Sequence, residues 1–136
     1  MALVKRLAQL LLGLFLLSAG RTHLGSNRIA FRAQVPTWLP LDPDFVVVAS
    51  GLVEITLGLL LIATLLILTK YRRITGLTAA VFFILIFPGN INQYINHIDA
   101  FGLDTDTKRF IRLLFQPLLV AWALWASNGI AQKPAK

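Results

Sequence analysis

A single carboxylate interrupts the apolar stretches of this chain: Glu54, in the segment SGLVEITLGLLL. An ionised carboxyl group in hydrocarbon is costly, so such a residue pairs with a cation, keeps its proton, or serves a ligand or a proton path. Other groups suited to the same work lie toward the ends of neighbouring apolar runs. They are Arg21 and His23 in AGRTHL, Asn90 and Gln93 in FPGNINQY, and Arg112 and Gln116 in FIRLLFQP. Glu54, with His23 or Gln116, can hydrogen-bond a quinone headgroup and pass its protons, the electrons coming from another protein. The plainer reading is structural: Glu54 forms an ion pair or a protonated hydrogen bond, and the amides satisfy one another. Both readings are open on the sequence alone.

Several other chemistries drop out. Without cysteine there are no disulfides, thiol redox relays, iron–sulfur clusters or Cys-ligated zinc. His23 and His97 are the only histidines, and no metal site is expected from them. No Ser-His-Asp set, Gly-rich phosphate loop or dinucleotide fingerprint occurs. The chain is not expected to be an enzyme by itself; within a larger enzyme it reads as a quinone-linked oxidoreductase subunit. The one cofactor that these groups suit is a quinone.

Hydropathy names the elements that must position these groups. Of 136 residues, 57% are hydrophobic and only 14% charged, against roughly 25% charge in an ordinary soluble domain. Four apolar runs, at about residues 5–24, 45–69, 74–94 and 110–127, are each long enough to cross a hydrocarbon core of about 30 Å. The expected fold is all-α: a polytopic membrane four-helix bundle, one integral membrane domain over residues 1–136. A barrel would need many alternating strands of about ten residues. The net charge of +7 reads as basic flanks facing the anionic lipid of the bilayer rather than as a nucleic-acid surface. A cleaved signal peptide is the rival reading of the first run, although its loss would leave three helices in place of a closed bundle.

The connection bearing Lys70, Arg72 and Arg73 is short and basic, which places it in the cytoplasm together with Lys5, Arg6, Lys133 and Lys136. Both termini are then inside. Trp38, Tyr94 and Trp125 suit the membrane interface, and Trp122 suits lipid-facing or packing surface. Helical rise puts Glu54 about 13 Å below the outer boundary, while Arg21 stands about 21 Å, and His23 and Asn90 about 24 Å, above the inner one. On those heights a long Arg21 side chain reaches Glu54. Gly51, Glu54 and Gly58 share one face, a smooth stripe for close helix packing. In helix 3, Pro88 cannot donate to the Ile84 carbonyl and Gly89 adds backbone freedom, so a kink or unwinding is expected. Asn90, Gln93, Tyr94 and His97 share a face there, with Asn92 pointing elsewhere.

Together AGRTHL, the segment Pro36 to Pro40 (PTWLP), SGLVEITLGLLL and FPGNINQY resemble the DoxX or DoxX-like family of small four-helix membrane proteins. The resemblance covers nearly the whole chain and is carried by Gly20 with His23, Gly51 with Glu54, and Pro88 with Asn90. It implies a four-helix bundle in the bacterial inner membrane. Roles in relatives range from quinone-linked sulfur oxidation, as a subunit of thiosulfate:quinone oxidoreductase, to oxidative-stress complexes and receptor chaperoning. No catalytic residue is carried over, and the absence of cysteine argues against a thiol-based role. Three readings follow: a non-catalytic accessory or assembly subunit with a membrane protein partner, which leads; a quinone-associated subunit; and a small transporter or channel acting as an oligomer.

Overall fold

The computed structural model describes residues 2–128, and over them the chain is helical, with no strand. Lys133 and Lys136, part of the basic set assigned to the cytoplasm, lie outside the described residues. Four long helices run α1 Ala2–Leu24, α2 Pro43–Leu66, α3 Arg72–Ile95 and α4 Asp106–Ala126. All four are long and apolar enough to cross a membrane. Well under half of each spanning stretch is buried within the bundle. The remainder, with Leu11, Leu59, Leu85 and Leu118 in it, is exposed apolar surface that belongs in hydrocarbon.

The helix ends follow capping chemistry more closely than hydropathy. Asp42 accepts a hydrogen bond from the Asp44 amide and Pro43 opens α2 at the first helical position. Thr105 accepts from the Lys108 amide at 3.2 Å, which starts α4 at Asp106, four residues before the apolar run. At the other side, α2 stops at Leu66 and a 3-10 turn, Thr69–Tyr71, reverses the chain into α3.

Packing pairs α1 with α2 and α3 with α4, and contacts of α1 with α4 and of α2 with α3 close the ring. Glycines set the first pair. A Cβ on Gly20 would sit 2.6 Å from the Gly51 carbonyl oxygen, and one on Gly58 would sit 2.7 Å from that of Gly13. Two glycines seven residues apart on each antiparallel helix therefore bring the backbones into contact. The stripe through Gly51, Glu54 and Gly58 is thus covered by α1. Leu12, Leu16, Leu57, Leu61, Ala79, Ala80, Phe83 and Ala123 fill the core.

Helix α3 runs through Pro88 without a break, so the unwinding expected there does not occur. Gly89 has a different reason. A Cβ at that position would lie 1.8 Å from the Gln34 carbonyl oxygen, so glycine is what lets the α1–α2 connection lie directly on α3. That connection contains a 3-10 helix, Ala30–Gln34. Arg28 and Arg32 anchor it to Asp44 at the start of α2, and Asn92 anchors it to α3.

Candidate functional site

Beneath this folded connection lies a cavity of about 510 Å³, walled by all four helices. Ligand sites run from roughly 300 to 1,000 Å³ and combine an apolar wall with a few convergent polar groups. This one has that make-up. Phe15, Leu16, Val47, Phe83, Ile86 and Leu119 are among the apolar walls; Phe31, Val35, Trp38 and Phe101 form the cover; Glu54, His23, Arg112, Gln116 and Ser50 supply polar atoms.

Glu54 is 5% exposed, and its Oε2 stands 3.2 Å from His23 Nδ1. That proximity is not a hydrogen bond. His23 Nδ1 lies 2.8 Å from the Ala19 carbonyl, where its proton is used, and one ring nitrogen carries one proton. Oε2 is left buried without a hydrogen-bond partner. The juxtaposition follows from the glycines: the Gly20–Gly51 contact draws α1 onto α2, and Gly51 leaves room for the His23 Cβ, which a Cβ of its own would approach to 2.7 Å. Above, the imidazole stacks on Phe31 at 3.4 Å between ring centroids, and Phe31 leans on Phe101 at 4.6 Å. This aromatic column joins the buried pair to the cover.

Across the cavity, Arg112 is near enough to Glu54 for mutual attraction, yet the two form no ion pair within 4.0 Å. Its one polar contact is a long one, 3.5 Å to Gln116 Oε1. Gln116 donates to the Phe83 carbonyl at 2.7 Å and accepts from Asn90 Nδ2 at 3.2 Å, tying α4 to α3. Asn90 Oδ1 is a second buried oxygen without a partner.

Of the residues singled out in the sequence, His23, Glu54, Arg112 and Gln116 line the cavity, Pro88 and Gly89 lie along its wall, and Asn90 stands behind Gln116. Arg21 does not join them. It is exposed on the outer face of α1, two residues from His23, and Arg112 takes the place expected of it. Gln93 is fully engaged in holding connections, accepting from Gln34 Nε2 and donating to the Ile98 and Ala100 carbonyls. His97 does not line the cavity; it is exposed and paired with Asp106 at 2.7 Å. Two contributions were not singled out beforehand. Asn92 donates to the Ala33 and Val35 carbonyls and accepts from the Thr37 amide, and Phe31 with Phe101 covers the imidazole. An amide opposite a proline-bounded loop was the available signal for Asn92; nothing in the sequence marked the two phenylalanines.

A family model described as Domain of unknown function (DUF8561) matches residues 12–127. The chain belongs to this family. No curated protein and no solved structure matches the chain. The DUF8561 match begins within α1 and ends just past α4, so it contains the whole cavity and its cover.

Proposed function

We propose that this DUF8561 protein is a non-catalytic membrane subunit that binds a lipid-soluble, quinone-like ligand, its polar head against Glu54, His23 and Arg112. The observation that carries the reading is Glu54 in the cavity wall, a buried carboxyl group whose Oε2 has no hydrogen-bond partner. Leaving a buried acceptor unpaired costs about 1–3 kcal/mol, a cost that a ligand hydroxyl removes. Arg112, with few protein partners, can donate to a ligand oxygen on the opposite side. An apolar wall around these groups suits an isoprenoid or acyl body better than a charged metabolite. A bound quinone would supply electron transfer; this chain would orient the head, shield it from water and hold a proton at Glu54. Electrons would come from a protein partner.

The DoxX-like resemblance supports a bacterial inner-membrane setting, in which we place both termini in the cytoplasm. The basic connection at Lys70 to Arg73 supports that orientation. A purely accessory role is the second reading, favoured by the amides of Asn92 and Gln93, which are spent on holding the fold. The transporter reading leaned on a broken third helix, and α3 is continuous.

The test is native mass spectrometry of protein gently solubilised from its own membrane, with organic extraction of the same sample. A stoichiometric quinone that is lost in Glu54→Gln is expected. A protein partner with no small molecule would leave the accessory role and make the cavity groups bundle structure.

A further inference from the structure

The opposite end of the bundle holds a second pocket, of about 380 Å³, lined by Arg6, Lys70, Arg72 and Arg73 together with Thr64 and Ser127. Four cations meet there and, among the described residues, no carboxylate does. Every acidic residue of the chain lies between Asp42 and Glu54 or between Asp99 and Asp106, toward the other end. Two of the cations are fixed along one edge. Arg72 donates from Nε to Gln9 Oε1 at 2.7 Å and from Nη2 to the Ala126 carbonyl at 2.6 Å, and Arg6 donates to the Leu65 carbonyl at 2.9 Å. Those carbonyls end α4 and α2, so helix capping accounts for one side of each guanidinium.

Capping leaves the rest of the arrangement without a reason. Arg6 and Arg72 are close enough to repel one another. Lys70 and Arg73 join them with no hydrogen-bonding partner among the described residues; Lys70 lies over the Tyr71 ring at 4.8 Å. An anion seated among the four relieves the repulsion and meets two guanidinium groups, Arg6 and Arg72, that are already held in place.

We infer that this pocket binds the phosphate headgroup of an anionic phospholipid. The neighbouring surface decides between a lipid and free phosphate. Leu66, Ile67 and Leu68, immediately before the pocket's Thr69 and Lys70, are exposed and apolar at the end of a membrane-crossing helix. A headgroup in the pocket lays its acyl chains along that surface, whereas free phosphate makes no use of it. This site is independent of the cavity at Glu54.

The test uses the full chain, delipidated in detergent and titrated in native mass spectrometry with phosphatidylglycerol, with phosphatidylcholine, and with inorganic phosphate alone. One phosphatidylglycerol per chain is expected in strong preference to phosphatidylcholine. Lys70→Gln lowers that preference by about fivefold, and Lys70→Gln with Arg73→Gln by roughly twenty- to thirty-fold. Neither side chain caps a helix, so an unchanged melting temperature in detergent accompanies the loss. Removing two charges at the other end, Arg21→Gln with Lys108→Gln, leaves the preference intact. Equal binding of phosphatidylcholine, a preference that survives loss of Lys70 and Arg73, or an equal fall in the control overturns the proposal. Inorganic phosphate that fills the pocket at millimolar concentration and excludes the lipid overturns it too, in favour of a soluble anion.

Discussion

At the basic end of the bundle Gln9 has no exposed surface and both sides of its amide are in use, whereas Glu54, 5% exposed, keeps one oxygen without a hydrogen-bond partner. Gln9 Nε2 donates to the Leu61 carbonyl and to Thr64 Oγ1, and its Oε1 accepts from Arg72, so one side chain ties α1 to α2 and α3. Around Glu54 the four helices leave a cavity of about 510 Å³. Both side chains are buried and polar and differ only in an amide for a carboxyl group. What separates a staple from a ligand site is whether the hydrogen bonds are already made.

The strongest way to break that contrast is to part α1 from α2, since both ends depend on their contact. In Gly58→Val the new side chain meets the Gly13 carbonyl and Leu17 at under 3 Å. With backbone as the obstacle, repacking cannot absorb the clash, and a loss of at least about 3 kcal/mol is expected. Size-exclusion profiles and thermal melts in detergent should show little folded protein. A melt like that of the parent would mean the helices can separate without cost, and the shared scaffold would be refuted.

Paired substitutions sharpen the comparison. Gln9→Ala strands Arg72 Nε and removes the bond that Thr64 Oγ1 accepts, so a destabilisation of about 2–4 kcal/mol is expected from the lost charged and neutral hydrogen bonds. Glu54→Gln removes a group that was not satisfied, and its effect on stability should stay within about 1 kcal/mol while ligand is lost. Thermal melts of the two variants, with extraction of the second, separate these outcomes. If Glu54→Gln melted as low as Gln9→Ala, the carboxylate would be a structural element like the amide.

Four helices were legible because long apolar runs leave a membrane chain no alternative. Glu54 was legible as well, because a lone carboxylate in such a run is conspicuous. The arginine was not. Arg21 and His23 have similar heights but point roughly 200° apart around α1, and hydropathy carries no rotation about the helix axis. Arg112, near the outer end of α4, proved to face inward instead. Gly89 was visible as a glycine beside a proline, yet its cause lies 55 residues away, at Gln34, in a contact that no local pattern encodes. The cover was equally hidden, since a polar connection between helices reads as loop until Asn92 is seen to hold it.

That cover yields the smallest effect and bears on how the cavity is closed. Asn92 makes three hydrogen bonds to the backbone at Ala33, Val35 and Thr37, between 3.1 and 3.3 Å, and belongs to α3 rather than to the α1–α2 contact. Asn92→Ala should therefore free the segment around residues 30–40 and leave the bundle intact. A local loss of about 1–2 kcal/mol corresponds to amide exchange faster by roughly ten-fold in that segment, with the amides of α1 and α2 unchanged. Hydrogen exchange followed by mass spectrometry reads both regions at once. Acceleration spread evenly over all four helices would instead make the cover part of the bundle's own cooperative unit, and the cavity would then open only when the fold does.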